Sequence, residues 1–178
     1  MSGSADNTAC GFVALIGAPN AGKSTLLNAL VGAKVSIVSR KVQTTRALVR
    51  GIALEGDAQI IFVDTPGIFA PKRRLDRAMV TSAWGGAGDA DVVALLVDSK
   101  KGIDAEVEAI LEKLKDAPRK KVLVLNKIDL IPYVEFNMDY FRRGVEMLNP
   151  GVITFPMSCR TGEGVEQWVN WLMEQVRK

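Results

Sequence analysis

The chain has 178 residues, of which 48% are hydrophobic and 24% are charged, with 23 Lys and Arg, 20 Asp and Glu, 2 Cys and no His. This length is typical of one domain, which buries about 70% of its surface on folding. Without histidine the chain cannot build a Ser-His-Asp or Cys-His nucleophile system, a His-ligated metal site or an imidazole general base. Cys10 and Cys159 are too few for a zinc cage or a disulfide framework, which predicts a cytoplasmic protein.

Apolar runs of strand length alternate with helical patterns, which predicts an α/β protein with a largely parallel, buried sheet. The predicted strands comprise residues 12–16, 47–54, 60–63, 92–97, 122–125 and 152–155. The predicted helices comprise residues 24–31, 75–87 and 135–148, and two more are predicted from apolar stripes over residues 107–114 and 165–176. Asp104 is predicted to cap the helix that carries the stripe at 107–114. The link between the second and third strands is long enough for a hairpin but too short for a helical crossover, so residues 47–54 should form one antiparallel edge strand. We expect residues 1–10 to be a flexible lead-in and residues 11–178 to form the domain.

A glycine-rich motif of the form G-x-x-x-x-G-K-[ST] follows the first predicted strand and precedes the first predicted helix. It consists of Gly17, Ala18, Pro19, Asn20, Ala21, Gly22, Lys23, Ser24 and Thr25. The backbone N–H groups of such a loop, at the positive end of a helix, can surround a polyphosphate. Lys23 would reach the β- and γ-phosphates, and Ser24 would ligate Mg²⁺. The strand before the motif and the helix after it argue against a glycine-rich turn that binds nothing.

A second motif lies at the end of the third predicted strand. It consists of Asp64, Thr65, Pro66 and Gly67, followed by Ile68. The Asp64 carboxylate can hold a water bound to Mg²⁺, and Gly67 can bring a backbone N–H close to the γ-phosphate. Alone, these residues would form an ordinary turn. Downstream of a phosphate loop, they indicate a second part of a nucleotide site.

Two further segments predict recognition of a guanine base. The first follows the fifth predicted strand and consists of Asn126, Lys127, Ile128 and Asp129. The Asp129 carboxylate can accept two hydrogen bonds from guanine, whereas adenine would leave it unpaired. The Lys127 stem can lie on the base plane, and Asn126 can connect the nucleotide-binding loops. The second segment precedes the last helix and can offer N–H groups to the guanine O6. It consists of Ser158, Cys159 and Arg160, in which Cys159 is a small loop residue rather than a nucleophile.

These motifs in this order resemble the translation-factor-related P-loop GTPases. The Gln-Thr-Thr-Arg sequence within residues 37–46, with Asn-Ala-Gly-Lys-Ser and Asp-Thr-Pro-Gly-Ile, is similar to the Era-like family. The resemblance covers nearly the whole chain. It implies the three-layer P-loop GTPase fold, with a six-stranded, mostly parallel sheet and helices on both faces. It also implies hydrolysis of GTP to GDP and phosphate with Mg²⁺, and a role in small ribosomal subunit assembly on 16S rRNA.

The resemblance assigns further residues. A threonine of the segment 37–46 would close on Mg²⁺ and the γ-phosphate, and it would be Thr45 or, alternatively, Thr44. The catalytic set would then be Asn20, Lys23, Thr45 and Gly67, with Ser24, Thr45 and Asp64 at the metal. In some relatives an asparagine at the place of Asn20 binds K⁺; the alternative is that Asn20 only stabilises the turn. Ile68 stands where Ras-like enzymes have a water-orienting glutamine, so intrinsic turnover should be slow.

The resemblance also implies parts of a longer protein. Family members carry a C-terminal KH-type RNA-binding domain, for which this sequence has no room. We therefore expect a truncated form of a longer chain; the alternative is a short relative of the family. The family properties imply peripheral association with the inner face of the cell membrane and no DNA partner. Two other functions stay open on the sequence alone. One is a P-loop ATPase or small-metabolite kinase, and the other is a nucleotide-responsive binding module with negligible hydrolysis.

Overall fold

The computed structural model describes residues 9–36, 38, 47–55 and 58–177. The strands are β1 (Ala9–Gly17), β2 (Val49–Glu55), β3 (Ala58–Asp64), β4 (Val92–Asp98), β5 (Lys120–Asn126) and β6 (Ile153–Pro156). The α-helices are α1 (Lys23–Val31), α2 (Arg74–Gly88), α3 (Ala105–Lys115), α4 (Met138–Leu148) and α5 (Val165–Val176). A short 3₁₀ helix, Ile128–Tyr133, follows β5. The sequence pattern did not predict this turn.

The strands form one six-stranded sheet in the order β2-β3-β1-β4-β5-β6. Only the β2–β3 pair is antiparallel among these neighbours, with Val49 opposite Asp64 and Glu55 opposite Ala58. The predicted hairpin and antiparallel edge strand are therefore confirmed. The short link after β2 leaves no length for a crossover helix, and the chain must turn back along its own edge.

Alternate residues of β1 supply two hydrophobic cores, one on each face of the sheet. Val13 and Leu15 pack with side chains of α1 and α5, including the fully buried Trp168. Ala14 and Ile16 pack with side chains of α2, α3 and α4. This period-two alternation on a strand buried on both faces produces the predicted three layers.

The predicted start of the fourth helix at residue 135 is wrong, because α4 begins at Met138. The Asn137 side chain accepts a hydrogen bond from the Tyr140 N–H at 2.8 Å and caps the helix there. The predicted Asp104 cap of α3 is confirmed, since its carboxylate accepts the Val107 N–H at 2.9 Å.

The parallel strands bring several loops to one edge of the sheet. Leu15 lies opposite Asp64, Gly17 opposite Leu96, and Asp98 opposite Asn126. The carboxyl ends of β1, β3, β4 and β5 therefore meet at this edge, where α/β proteins commonly bind ligands. None of the helices in the described part of the chain combines the length and apolar character needed to cross a bilayer.

Candidate nucleotide-binding site

The loop between β1 and α1 surrounds the Lys23 side chain. Only 6% of Lys23 is exposed, and its ammonium donates hydrogen bonds to the Gly17 carbonyl at 3.1 Å and the Ala18 carbonyl at 3.0 Å. Gly22 enters α1 with a φ of 104°, in the left-handed region that favours glycine. The loop thus presents its lysine and the helix N-terminus on the same side, as phosphate binding requires.

Burial lowers the pKa of Lys23 from 10.5 to about 8, and the attraction of Asp64 only partly opposes this effect. The cause is desolvation, which disfavours the charged amine. A polyphosphate in this loop would supply the missing negative charge. Lys23 is therefore an incompletely compensated cation in the ligand-free protein, suited to bind an anion.

Oxygen donors converge on Asp64 at the end of β3. The carboxylate is fully buried, and its Oδ2 accepts hydrogen bonds from Ser24 Oγ at 2.6 Å and from Ser36 Oγ at 2.8 Å. Hard oxygen ligands of this kind suit Mg²⁺, which keeps several waters and takes others from substrate phosphates. Within the described residues, no group of three or more Asp, Glu or Cys side chains is arranged to hold a metal ion. Ser24 and Asp64 therefore fit a Mg²⁺ ion that is shared with a phosphate, rather than an all-protein metal cage.

The loop after β3 runs against the phosphate loop. The Thr65 hydroxyl donates to the Leu15 carbonyl at 2.8 Å, and the Ile68 N–H donates to the Gly17 carbonyl at 2.9 Å. A Cβ on Gly67 would lie only 2.8 Å from Cγ of Pro19. Glycine at this position is what lets the two loops approach closely. The backbone of Gly67 is accordingly placed beside the loop that would hold the phosphates.

Asn126 connects three loops of the site. Its Nδ2 donates to the Ala21 carbonyl at 2.9 Å, and its Oδ1 accepts the N–H groups of Lys127 at 2.8 Å and Cys159 at 3.1 Å. A Cβ on Gly22 would lie 2.1 Å from the same Nδ2. Glycine is therefore needed at position 22 for two reasons: the positive φ, and the close approach of Asn126, which is 104 residues away in the sequence.

Asp129 and Ser158 meet at the predicted base site. Ser158 is fully buried, and its hydroxyl donates to Asp129 Oδ1 at 2.6 Å. Ser158 Oγ also accepts the N–H groups of Arg160 at 3.3 Å and Thr161 at 3.2 Å. Ser158 thus orders its own loop and orients the carboxylate. The sequence predicts only a backbone role for this serine, because Asp129 lies 29 residues away and no local pattern connects the two residues.

Lys127 bridges the base loop to the phosphate loop and to β4. Its backbone φ is 66°, and its ammonium donates to the Asn20 carbonyl at 2.9 Å and pairs with Asp98. The Lys127 carbonyl accepts the Ser99 hydroxyl at 2.8 Å. Asp98 and Ser99 were not predicted as site residues from the sequence. In the sequence they are marked only as two polar residues directly after a predicted buried strand.

The remaining predicted residues have minor contacts. Thr25 is half-buried at the start of α1, Arg160 is exposed, and the Ile128 N–H donates to the Met157 carbonyl at 3.2 Å. Burial raises the pKa of Cys159 to about 12, which agrees with a thiol that is not a nucleophile. Thr44 and Thr45 lie outside the described residues.

A phosphate loop, a buried acid at the neighbouring strand end and a base loop on one sheet edge define a P-loop nucleotide-binding domain. The chain matches the family model described as "50S ribosome-binding GTPase" over residues 12–127. It belongs to this family of P-loop GTPases.

Individual relatives extend the similarity to more than nine tenths of the chain. A protein named GTPase Era from a Bradyrhizobium species is 59% identical over 165 residues, which are 93% of this chain and 53% of the relative. A crystal structure of Era in complex with MgGDPNP and nucleotides 1506–1542 of 16S ribosomal RNA has a TM-score of 0.88 and 36% identity. The match covers 95% of this chain and 57% of that one.

A point variant of Era from Aquifex aeolicus, bound to GDP and AlF₄⁻, gives a TM-score of 0.86 at 34% identity, covering 95% of this chain and 57% of that one. These matches confirm the predicted resemblance to the Era-like family and the fold that it implied. The chain spans about half the length of the curated relatives it matches.

Proposed function

We propose that this chain is a guanine-nucleotide switch domain that binds GTP with Mg²⁺ and hydrolyses it to GDP and phosphate. The observation that carries the proposal is the convergence of three groups at one sheet edge. They are the buried Lys23 ammonium, the Ser24–Asp64 pair and the Asp129 carboxylate held by Ser158. Solved structures of relatives hold MgGDPNP or GDP with AlF₄⁻, which supports both the nucleotide and the metal.

The chain's own residues would act by placing charge rather than by covalent chemistry. Lys23 would neutralise β- and γ-phosphate oxygens, and the Gly67 backbone would offer an N–H to the γ-phosphate. Ser24 and Asp64 would hold Mg²⁺, which would offset the negative charge that develops on the phosphate oxygens. Transfer of the γ-phosphoryl group to water, with GDP as the leaving group, needs little more than in-line geometry and positive charge.

Recognition of guanine would rest on Asp129. The carboxylate would accept hydrogen bonds from guanine N1–H and the exocyclic amine, while Ser158 holds it in orientation. Two hydrogen bonds to a charged group are worth roughly 1.5–3 kcal/mol each, a total of 100-fold or more in affinity.

Asp129→Asn tests this function through competition binding of guanosine and xanthosine triphosphates. The amide cannot accept from N1–H and the amine as the carboxylate does, so we expect GTP affinity to fall at least about 100-fold and xanthosine triphosphate to be preferred. Asp116→Asn, which removes an exposed charge at the end of α3, is the control and should bind GTP like the parent chain. Unchanged GTP preference in Asp129→Asn would contradict the assignment.

Two alternative functions have less support. An ATPase or small-metabolite kinase would leave the Ser158-held Asp129 carboxylate facing an adenine, which has neither the N1–H nor the 2-amino group of guanine. Tighter binding of ATP than GTP would favour that function. A binding module with negligible hydrolysis has the same site. Single-turnover hydrolysis in the presence of K⁺ separates it from the proposed GTPase.

For the full-length protein we propose a role in assembly of the small ribosomal subunit through 16S rRNA. The relative solved with nucleotides 1506–1542 of 16S rRNA supports this partner. We further propose a cytoplasmic location with peripheral association at the inner face of the cell membrane, as the family resemblance implies. Fractionation of cells that carry the full-length protein is the direct measurement.

A further inference from the structure

Ser36 is turned inward from an otherwise exposed stretch. Residues 32–35 and 38 are exposed, whereas Ser36 is 5% exposed. Its hydroxyl donates to Asp64 Oδ2 at 2.8 Å, the same oxygen that accepts the Ser24 hydroxyl at 2.6 Å. A serine with no part in the recognised motifs therefore contacts the carboxylate of the proposed metal site.

The Asn28 carboxamide fixes this stretch to α1. Its Oδ1 accepts the N–H groups of Val35 and Ser36, both at 2.9 Å, and its Nδ2 donates to the Ser36 carbonyl at 2.9 Å. Ser24 and Asn28 are four residues apart and therefore lie on the same face of the helix. One face of α1 thus carries both the Ser24 hydroxyl and the amide that positions Ser36.

Fixing the Asp64 carboxylate matters because it is fully buried. A buried charge needs hydrogen-bond donors to offset the loss of water, and two donors on one oxygen also restrict rotation of the carboxylate. Groups that orient a metal's ligands strongly affect metal affinity, typically 10–100-fold when they are removed. Ser36 has the contacts of such a group.

We propose that Ser36, held by Asn28, is a positioning residue for Mg²⁺-dependent nucleotide binding, through its hydrogen bond to Asp64. The proposal rests on the function proposed above and adds two residues outside the phosphate and base motifs. It also gives the sign of the effect, because loss of a hydroxyl that orients Asp64 for the metal should raise the Mg²⁺ concentration that nucleotide binding requires.

The test is a titration of a fluorescent GDP analogue into the whole chain, from EDTA to millimolar Mg²⁺. For Ser36→Ala we expect the Mg²⁺ midpoint to rise about tenfold, while the affinity in EDTA stays within about twofold of the parent chain. Ser36→Thr keeps the hydroxyl and should restore the midpoint. Thr81→Ala removes an exposed hydroxyl from α2 and should leave the midpoint unchanged.

Asn28→Leu tests whether Asn28 holds Ser36 in place, since leucine has a similar volume but cannot form the three hydrogen bonds of the Asn28 carboxamide with Val35 and Ser36. We expect the same rise in the Mg²⁺ midpoint and no further rise in the double variant with Ser36→Ala, because both act through one contact. Additive shifts would overturn the role of Asn28. Thermal unfolding in EDTA checks that each variant folds. Ser36→Cys, with a weak S–H donor, provides a second variant that should show the same shift.

An unchanged or lowered Mg²⁺ midpoint in Ser36→Ala would overturn the proposal. An equal loss of affinity in EDTA and in Mg²⁺ would also overturn it, because that result marks a purely structural role. Failure of the parent chain to bind the GDP analogue in either buffer would instead refute the proposed function. The two proposals therefore fail in different ways.

Discussion

The buried Lys23 should make nucleotide binding weaken as the pH rises above about 8. Its pKa of about 8 in the ligand-free protein means that most molecules carry the ammonium at pH 7.0 and few do at pH 8.5. A bound polyphosphate stabilises the ammonium, so binding above pH 8 requires proton uptake. The protonated fraction falls about fourfold between pH 7.0 and 8.5, and GDP affinity measured by fluorescence titration at constant Mg²⁺ should fall by the same factor.

Lys23→Arg is the informative variant for this prediction. A guanidinium stays protonated across this range, so GDP binding to the variant should be independent of pH whatever its absolute affinity. Lys115→Arg, an exposed exchange on α3, should keep the dependence of the parent chain. A flat profile in the parent chain, or a falling profile in Lys23→Arg, would refute the reasoning from burial.

The same pKa affects stability in the opposite direction. The folded-state pKa of Lys23 is lowered to about 8 from 10.5 in the unfolded chain, so the unfolded chain binds more protons between these values. The free energy of unfolding of the ligand-free protein therefore gains a contribution from Lys23 as the pH rises from 8 to 10.5. Nucleotide affinity therefore falls over the pH range in which this contribution to stability grows. Both effects have one cause, because burial of Lys23 disfavours its ammonium unless a bound anion compensates the charge.

Two further predictions concern the loop itself. Gly22→Ala should abolish nucleotide binding and lower the free energy of unfolding, measured by denaturant titration, by more than about 1 kcal/mol, because the new Cβ strains a positive φ and clashes with the Asn126 amide. Gly32→Ala is the control, since Gly32 also has a positive φ but nothing lies within 4 Å of its Cβ position, and it should lose less stability. Equal losses in the two variants would contradict the clash. If Asn20 ligates K⁺, GTP hydrolysis should be faster in K⁺ than in Na⁺. Asn20→Gly should abolish the difference, since glycine tolerates the φ of 63° at this position. Equal rates in the two salts for the parent chain would contradict K⁺ binding by Asn20.

The sequence predicted the parts of the site whose geometry is set locally. The strand, glycine loop and helix around Lys23 form one continuous segment, and the spacing of its glycines and lysine is enough to predict a phosphate-binding loop. Asp64 and Asn126 could be placed near it because parallel strands end at the same sheet edge. The antiparallel β2 followed equally directly from a link too short to cross the sheet.

Contacts between distant residues could not be predicted in this way. The hydrogen bonds from Ser36 to Asp64 and from Ser158 to Asp129 join residues 28 and 29 positions apart, and they depend on how loops fold over the sheet. Each hydroxyl by itself is indistinguishable from an ordinary loop serine. The start of α4 was missed for a related reason, since the apolar pattern continued upstream while the Asn137 cap set the boundary.

Ile68 shows how the fold limits the chemistry of this site. Ras-like enzymes use a glutamine at this position to orient the attacking water. Here Ile68 is 6% exposed and packs in the core that contains Ile16 and Ala83, while its backbone N–H donates a hydrogen bond to the Gly17 carbonyl. A glutamine amide in this apolar setting would cost roughly 1–3 kcal/mol if unpaired. In the proposed GTPase, which has no histidine, orientation of the attacking water would therefore depend on other groups: backbone amides, the buried Lys23 ammonium and the threonine assigned within residues 37–46.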